Sequence, residues 1–445
     1  MHCGNTVMSH SLPRPAYAWY TVILLTIVYI FAFIDRFILS LLVEPIKADM
    51  NLTDTQIGLL LGPAFAIFYT TMGIPLGWLA DHARRTWVIG IGITLWSLAT
   101  AASGLAKNFL QLFTARITVG VGEATLSPCA LSIIADSFPP ERRGKPIAFY
   151  NSAVSLGAGI AFLAGASVIV WSRTVAEVSV PGFGNVAPWQ LAFIAVGLAG
   201  LPVAILMFTL REPARQRQGT KVEPGSTSPK AAFKYVYQNW RAYGFVLVAC
   251  IMTTVTYSQN WLPAMYQRTW GWPPERYAFY YGVALIMIGP LSVNMAGWLS
   301  DRLYARGKHE APVLVIVWGG LLLIPTGFLS PLMPTGELAF AVLLFNLVGL
   351  AMVSALAPVA LLNITPSEIR GQVVAIYYLV ISVTGLVLGP MTVGLMNDLV
   401  VGEEGTRYSV ALVPLIYGVP VALLVKAMLR SYQKKIADTA MLEAG

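Results

Sequence analysis

Twelve apolar stretches follow one another along the chain, each separated from the next by a polar segment. A helix needs about 20 mostly apolar residues to cross the hydrocarbon core of a bilayer. On that criterion the pattern predicts transmembrane helices, numbered here as spans 1 to 12, at residues 19–43, 56–78, 87–106, 109–135, 145–171, 189–210, 239–267, 277–298, 311–332, 336–362, 370–397 and 408–429. The chain is therefore predicted to be an all-α membrane protein.

The longest polar interruption lies between spans 6 and 7 and divides the spans into two groups of six. It is rich in Lys, Arg, Pro, Gly and Ser, which is typical of a linker. We therefore expect an N-terminal tail at 1–18, a six-helix half at 19–210, a linker at 211–238, a second six-helix half at 239–429 and a C-terminal tail at 430–445.

The 29 Lys and Arg residues are distributed unevenly about these spans. If the N-terminus is cytoplasmic, 21 of them fall on the inner side and six on the outer side, while Arg36 and Arg116 remain within spans. Cytoplasmic loops of membrane proteins carry an excess of Lys and Arg. The distribution therefore predicts that both termini and the linker are cytoplasmic.

Composition agrees with a membrane protein and limits the chemistry. Of the 445 residues, 56% are hydrophobic and 11% charged, with a mean hydropathy of +0.68, which is far outside the range of soluble domains. The net charge of +8 belongs to inner loops, so it does not indicate binding to nucleic acid. The three Cys lie far apart and the four His lie in loops or the N-terminal tail, so we expect no metal, no cofactor and no enzymatic centre.

Four charged residues lie inside spans 1 and 4: Asp35, Arg36, Arg116 and Glu123. A charge at the bilayer centre costs roughly 3 kcal/mol on insertion scales, so such residues are rare and usually functional. At about 1.5 Å of rise per residue, Asp35 and Arg116 lie at similar depth, and Glu123 lies roughly 10 Å deeper than Arg116. We therefore expect Arg116 to pair with Asp35, and Glu123 to stand apart near the midplane.

The two halves repeat short motifs at corresponding positions. Gly77-Trp78-Leu79-Ala80-Asp81 after span 2 recurs as Gly297-Trp298-Leu299-Ser300-Asp301 after span 8, and Glu141-Arg142-Arg143-Gly144 after span 4 recurs as Glu368-Ile369-Arg370-Gly371 after span 10. Repeats on the same side of the membrane predict parallel halves related by an axis along the membrane normal. A substrate site is then expected near the midplane between them.

These motifs, the twelve spans and the central linker closely resemble the major facilitator superfamily. The motif is Gly77-x-Leu79-x-Asp81-x-x-Arg84-Arg85, although His82 and Ala83 depart from the common family pattern. The resemblance implies a latch on the inner face that holds the outward-facing state; the alternative is simple positive charge in an inner loop. The residues expected in this latch are Gly77, Asp81, Arg84, Arg85, Asp136, Glu141, Arg142, Arg143, Gly297, Asp301, Arg302, Glu368 and Arg370.

Within that superfamily the chain resembles the spinster group of lipid transporters and its bacterial relatives. The resemblance rests on Phe33-Ile34-Asp35-Arg36, Glu44-Pro45-Ile46-Lys47, Gln56-Ile57-Gly58-Leu59-Leu60, Arg116-x-x-x-Gly120-x-Gly122-Glu123-Ala124 and Phe138-Pro139-Pro140-Glu141-Arg142-Arg143-Gly144. It implies a lipid-like substrate.

The second half offers a different wall to the expected cavity. Its candidate substrate residues are polar but uncharged, or aromatic: Tyr257, Gln259, Asn260, Trp261, Asn346, Tyr377 and Tyr378. A cavity charged on one wall and apolar on the other suits an amphiphile, although helix packing equally favours polar uncharged residues.

Together these observations predict a monomeric secondary carrier of the bacterial cytoplasmic membrane that works by alternating access, in contact with membrane lipids. The hypothesis is that Glu123 and Asp35 exchange protons, while Arg36 and Arg116 hold the deprotonated form or a substrate anion. The expected substrate is an amphipathic anion or a lysolipid-like or sphingoid molecule. The alternatives are a proton symporter of small organic anions such as sugar acids, a membrane sensor on a transporter scaffold, and, for the four charges, a fixed structural ion-pair network.

Overall fold

A computed structural model describes residues 13–139, 142–175, 178–180, 184–215, 229–366 and 369–444. The N-terminal half is helical except for one short hairpin. Its elements are α1 (Pro15–Leu41), α2 (Val43–Met50), α3 (Asp54–Leu61), α4 (Pro63–His82), α5 (Arg85–Ser103), α6 (Phe109–Glu123), α7 (Leu126–Ser137), α8 (Gly144–Thr174), the antiparallel strands β1 (Val178–Val180) and β2 (Gly184–Val186), and α9 (Pro188–Thr209).

The linker contributes one short helix, α10 (Pro229–Gln238), before the C-terminal half. That half contains α11 (Phe245–Ser258), a 3₁₀ turn (Gln259–Trp261), α12 (Leu262–Trp270), α13 (Pro274–Tyr304), α14 (Ala311–Leu329), a 3₁₀ turn (Ser330–Leu332), α15 (Gly336–Ile364), α16 (Arg370–Val383), a π-helical turn (Thr384–Leu388), α17 (Gly389–Met396), a second π-helical turn (Asn397–Val401), α18 (Thr406–Ala422) and α19 (Val425–Ala444).

These helices confirm the predicted all-α membrane fold. In the described part of the chain, eleven helices are long and apolar enough to cross a membrane, and the pair α18 and α19, bent by 52°, makes a twelfth if it is one span. Several predicted single helices are interrupted: span 2 is α3 and α4, span 4 is α6 and α7, span 7 is α11 and α12, and span 11 is α16 and α17.

Apolar packing joins the halves at one end. The larger buried cluster includes most of the C-terminal half together with residues near the outer ends of the first six spans, such as Ile38, Leu60 and Phe162. The smaller cluster fills the inner part of the N-terminal half and admits only Leu386 from the other half among its buried members. The halves are therefore packed most extensively towards the outer side.

Within each half, glycine lets helix backbones meet. A Cβ added at Gly197 in α9 would lie 2.4 Å from the backbone nitrogen of Ala101 and 2.5 Å from the carbonyl oxygen of Ser97, both in α5. Real Cβ atoms do not approach backbone atoms so closely, so this contact between spans 3 and 6 requires glycine.

Gly197→Ala should therefore destabilise the folded protein. Overpacking of a tight contact costs about 1–3 kcal/mol, and the added methyl meets backbone rather than a side chain that can move. The melting temperature of the purified protein in detergent measures the effect. The matched control is Gly73→Ala in α4, where a Cβ meets nothing within 4 Å, and alanine gains up to about 1 kcal/mol in helix propensity. Equal melting temperatures for Gly197→Ala and the wild type would contradict the packing argument.

Candidate functional site

Span 4 breaks immediately after Glu123, which is the last residue of α6. Two glycines before it bring neighbouring spans into backbone contact. A Cβ at Gly120 would lie 2.6 Å from the carbonyl oxygen of Phe65, and one at Gly122 would lie 2.9 Å from that of Gly92. The hydroxyl of Thr125 donates to the carbonyl oxygen of Gly122 at 2.8 Å and closes the broken turn. The Gly120-x-Gly122 pattern thus fixes Glu123 among spans 2, 3 and 4.

Glu123 forms an ion pair with Arg36 of span 1. Nε of Arg36 donates to Oε2 of Glu123 at 2.6 Å, and the side chain of Glu123 is fully buried. The guanidinium carbon lies 4.7 Å from the centroid of the Phe65 ring and 4.9 Å from that of Tyr69. Aromatic faces attract cations, so the aromatic rings and the Glu123 carboxylate both hold the Arg36 guanidinium in place. The expectation that Glu123 stands apart is wrong, because residue spacing gives its depth but not the helix it faces.

Arg116 and Asp35 do meet, but not as a carboxylate pair. Nη1 of Arg116 donates at 3.2 Å to the main-chain carbonyl oxygen of Asp35. Oδ1 of Asp35 and Nε of Arg116 are buried, and neither makes a hydrogen bond with the described residues. The predicted pairing of the two side chains is therefore corrected to a contact between a side chain and the backbone.

The four residues form one electrostatic cluster, which we name the charge cluster: Asp35, Arg36, Arg116 and Glu123. Asp35 interacts electrostatically with the other three, and so does Arg116. When all four are ionised, two carboxylates balance two guanidinium groups. Oε1 of Glu123 is also buried and without a hydrogen bond to the described residues. Buried polar atoms in proteins normally have partners, so these atoms leave the charge cluster with unused donors and acceptors.

The C-terminal half approaches the charge cluster through Tyr257. This tyrosine packs against the buried cluster of the N-terminal half and interacts electrostatically with Arg36 and Glu123. Tyr29 and Tyr69 of the N-terminal half interact with Arg36 in the same way. Phenol groups from both halves therefore surround the Arg36 guanidinium.

Other predicted substrate residues lie in packed structure. Gln259 donates to Asn346 at 2.7 Å and accepts from Tyr281 at 3.1 Å, which links spans 7, 8 and 10. Trp261 is fully buried, and its indole NH donates to the carbonyl oxygen of Pro390 at 3.0 Å. These three predicted residues thus serve interhelical packing in this structure, while Asn260 is half-buried.

The last two predicted substrate residues lie away from the charge cluster. Tyr377 lines a cavity near the inner end of the C-terminal half, together with residues of α10 and span 7. The ring of Tyr378 lies 5.1 Å from that of Tyr377, and half of the Tyr378 side chain is exposed. Of the seven residues, the structure brings only Tyr257 to the charge cluster.

On the inner face, Arg85 at the start of α5 is a buried centre of contacts. It forms ion pairs with Asp136 at the end of α7 and, at 2.6 Å, with Glu212 beyond α9. Glu212 also accepts from the backbone NH of Thr86 at 3.0 Å. These bonds tie spans 3, 4 and 6 of one half together. Sequence analysis missed Glu212, although it is an acidic residue directly after span 6.

The other residues predicted for the inner latch are not joined across the halves by the bonds that the structure describes. A Cβ at Gly77 or Gly297 would meet nothing within 4 Å, so neither glycine lies at a close helix contact in this structure. Arg84 lies over the Trp87 ring, Arg302 lies over the Trp298 ring, and Arg143 donates to the carbonyl oxygen of Phe138. Arg142 and Asp301 are exposed. Glu141 and Glu368 lie outside the described residues, and the side chains of Asp81 and Arg370 are not described either.

At the outer ends of the helices a second polar cluster joins the halves. The Asp54 carboxylate, fully buried at the start of α3, accepts from Arg268 of span 7 at 2.6 and 3.0 Å, from Lys47 at 2.6 Å and from Asn397 of span 11 at 2.7 Å. Arg268 also pairs with Glu44 at 2.7 Å. We name this cluster the outer clamp: Glu44, Lys47, Asp54, Arg268, Asn397, Asp398, Glu403 and Thr406.

Asp398 extends the outer clamp by capping a helix of the other half. Its carboxylate accepts from the backbone NH groups of Asp54 at 3.1 Å and Thr55 at 2.7 Å. Free NH groups and the helix dipole make a helix N-terminus favourable for an anion. The motif Thr53-Asp54-Thr55-Gln56 is a capping box that starts α3 at this position. The Asp398 side chain at the end of span 11 is thereby bonded to main-chain NH groups at the start of span 2.

The outer clamp was missed by sequence analysis. Lys47 and Arg268 are among the six basic residues predicted on the outer side, but the acidic partners of Arg268 are more than 200 residues away in the chain. The sequence feature that could have predicted the outer clamp is the presence of acidic residues at the outer ends of spans 2 and 11. The hydrogen bonds and ion pairs described between the halves all lie at the side that the distribution of Lys and Arg predicts to be the outer one, so the structure is closed at that side.

Comparison with known proteins agrees with this architecture. A family model described as Major Facilitator Superfamily matches residues 25–390. The chain is 30% identical over 410 residues to an MFS-type efflux pump of Mycolicibacterium smegmatis, covering 88% of this chain and 87% of that protein. It is 26% identical over 304 residues to the probable L-galactonate transporter of Escherichia coli K12, covering 66% of this chain and 63% of that protein.

The structural comparison is consistent with the sequence comparison. A crystal structure of a bacterial homologue of the human lysosomal transporter Spinster, inward-facing and unoccupied, aligns with a TM-score of 0.76 and 25% identity, covering 96% of this chain and 95% of that chain. These matches confirm the family and subgroup resemblance predicted from the sequence motifs.

Removing one partner of the Arg36–Glu123 pair should destabilise the protein more than removing both. Glu123→Leu leaves a guanidinium without its carboxylate, which costs about 3 kcal/mol or more for a buried pair, whereas apolar replacement of both partners is often nearly neutral. We expect the double variant Arg36→Met/Glu123→Leu to be more stable than Glu123→Leu alone. The unfolding free energies of the wild type, both single variants and the double variant form a double-mutant cycle, which gives the interaction energy of the pair. Additive effects would contradict a direct pair.

Breaking the outer clamp should open the outer side. Arg268→Gln leaves the buried Asp54 carboxylate without its bidentate partner. Spin labels at Lys107 and Glu404, which are exposed in outer loops of opposite halves, report their separation by pulsed EPR in a variant without native cysteines. We expect a new population at longer distance.

The matched control is Arg276→Gln. Arg276 pairs with Glu337 at 2.9 Å on the outer side, but both residues belong to the C-terminal half. This control should retain the wild-type distance distribution. If Arg268→Gln retains it too, the outer clamp does not hold the halves together.

Proposed function

Because the chain belongs to the Major Facilitator Superfamily, we propose that it is a proton-coupled secondary transporter that moves an amphipathic anion by alternating access. Family membership and the candidate spans make it an integral membrane transporter rather than an enzyme. The coupling ion, the substrate and the roles of individual residues are the content of the proposal.

The observation that carries the proposal is the charge cluster with its orphaned atoms. A fixed structural network is expected to satisfy its buried donors and acceptors. Here Oδ1 of Asp35, Nε of Arg116 and Oε1 of Glu123 make no hydrogen bond with the described residues. The two carboxylate oxygens are available to a proton, and Nε of Arg116 is available to an anionic ligand.

Proton binding and anion binding are linked through Arg36. While Glu123 is ionised, its carboxylate occupies Nε of Arg36. A proton on Glu123 removes the negative charge, and the guanidinium then gains most from a substrate anion. Asp35 and Arg116, which meet through the main-chain carbonyl of Asp35, add one charge of each sign beside this pair and extend the same exchange to a second carboxyl. Binding of the anion therefore favours protonation of Glu123, and protonation favours binding of the anion.

Two sets of contacts supply the gates that alternation requires. The outer clamp closes the outer side in this structure, and it depends on ion pairs between spans 2, 7 and 11. On the inner side, Arg85 organises the ends of spans 3, 4 and 6. We propose that the inner latch joins the halves when the outer clamp opens. The ion pairs of Arg85 then keep the inner ends of spans 3, 4 and 6 in the arrangement that the latch needs.

An amphipathic substrate follows from the surroundings of Arg36. Phe33, Phe65 and Tyr69 surround its guanidinium on one side, and Tyr257 approaches from the other half. A molecule with an anionic head and an apolar body matches these groups. The resemblance to the spinster group supports a lysolipid-like or sphingoid molecule, and the efflux pump of Mycolicibacterium smegmatis supports export.

A second candidate substrate is a small organic anion such as a sugar acid. The named function of the Escherichia coli relative favours it, and a carboxylate could bind Arg36 or Arg116 without an apolar body. Both candidates share the proton mechanism and differ only in what fills the rest of the cavity.

The test is flux into proteoliposomes with and without an imposed pH gradient. Labelled lysophosphatidylglycerol and labelled galactonate are the two probes, each competed with the other. We expect the gradient to accelerate lysolipid flux several-fold in the wild type. Glu123→Gln should abolish that acceleration while retaining exchange without a gradient, because the amide cannot release a proton.

Glu337→Gln is the matched control, since Glu337 is an exposed acidic residue of the outer surface. It should respond to the gradient like the wild type. Full acceleration in Glu123→Gln would refute the role of Glu123 in coupling. Flux of galactonate that lysolipids do not compete with would select the small-anion alternative.

A further inference from the structure

An apolar groove lies at the inner end of the C-terminal half, apart from the charge cluster. It has a volume of about 290 Å³ and lies between α10, the start of span 7, and the inner parts of spans 10 and 11. Its walls include Val246 and Leu247 of span 7, Leu361 of span 10, and Val373 and Val380 of span 11. We name it the inner groove; the side chains that line it are all uncharged.

The inner groove runs along the direction of the membrane normal. Val373, Ile376, Tyr377 and Val380 line it at spacings of three and four residues, which places them on one stripe of α16. Seven residues of helix correspond to roughly 10 Å of depth. Lipid acyl chains have the same direction and the same apolar character.

The mouth of the inner groove carries exposed aromatic side chains. Phe233, Tyr237 and Trp240 line it, and between 55% and 71% of each side chain is exposed. Aromatic residues of this kind are enriched where a protein crosses the boundary between lipid and water. On the same face of α10, Val236 also lines the groove and packs against the core, and the hydroxyl of the neighbouring Tyr235 donates to the carbonyl oxygen of Ile364 at 3.4 Å. The linker helix is thus fixed beside the groove with its aromatic face towards the groove.

Positive charge surrounds the same mouth. Lys234 and Arg241 are exposed on the segment that bears the aromatic residues, and Lys435 of α19 lies 5.0 Å from the Tyr235 ring. The chain contains no acidic residue from 224 to 274. Anionic lipids of the cytoplasmic leaflet attract basic segments by about 1 kcal/mol per Lys or Arg.

We propose that the inner groove binds an anionic phospholipid of the inner leaflet. Its acyl chain occupies the groove, and its phosphate lies between Lys234 and Arg241. A second copy of the chain fits the apolar walls but offers no phosphate to Lys234 and Arg241. Since the site is built from α10 and the C-terminal half, the bound lipid holds the linker against that half. The proposal does not depend on the transported substrate.

The experiment compares lipids with matched acyl chains. Delipidated protein in detergent is titrated with dioleoylphosphatidylglycerol or dioleoylphosphatidylcholine, and melting temperature and retained lipids are measured, the latter by native mass spectrometry. In the wild type, we expect the anionic lipid to raise the melting temperature by several degrees more than the zwitterionic lipid and to leave at least one retained copy.

Two variants test the two parts of the site. Lys234→Gln/Arg241→Gln removes the charge, and Leu247→Trp fills the groove at a side chain that is 41% exposed. Each should lose at least half of the shift and the retained copy. Lys145→Gln/Arg211→Gln changes two exposed basic residues of the inner side, one in the N-terminal half and one at the start of the linker, and should behave like the wild type.

Three results would overturn the proposal. In the first, both groove variants keep the full shift and the retained lipid. In the second, phosphatidylcholine stabilises the wild type as much as phosphatidylglycerol does. In the third, light scattering shows a dimer that Leu247→Trp converts to a monomer, which would make the groove a contact between copies.

Discussion

The contact between Arg36 and Glu123 is the constraint on which the rest of the site depends. It joins spans 1 and 4 through a fully buried carboxylate. A buried pair is costly to separate, because each charge then loses its partner in a medium that hydrates it poorly. Protonating Glu123 removes the ionic attraction but leaves the Arg36 guanidinium without a counter-charge. In the proposed mechanism, the pair therefore links the gain or loss of a proton to the freedom of the buried Arg36 guanidinium.

Small residues make that contact possible. Gly120 and Gly122 bring spans 2 and 3 against span 4, and the helix breaks directly after Glu123. The same device acts between the halves, since a Cβ at Gly62 would lie 2.2 Å from the carbonyl oxygen of Leu386. Close backbone contact leaves little room for sliding. Motion between the halves is then expected as rotation of preformed units rather than as repacking of each helix.

The fold and the residues of the charge cluster could be predicted from the sequence, because apolar length and intramembrane charge are strong signals. Which residues pair with one another within the cluster could not be predicted. Spacing along a helix gives depth and relative azimuth, but not which neighbouring span a side chain faces, so Glu123 was wrongly placed apart from Arg36. Gln259 and Asn346 show a second limit: a polar uncharged residue serves packing and binding equally well. The outer clamp shows a third, since Asp54 and Arg268 meet only after the halves assemble.

The charge balance of the cluster also concerns the membrane voltage. Two carboxylates and two guanidinium groups sum to zero, so one bound proton leaves an excess of one positive charge. A monoanionic substrate cancels that charge, whereas a zwitterionic substrate does not. Moving one unbalanced charge across the full field is worth about 2.3 kcal/mol per 100 mV. In the proposed mechanism, the charge of the substrate thus determines whether the loaded carrier responds to the membrane potential or is indifferent to it.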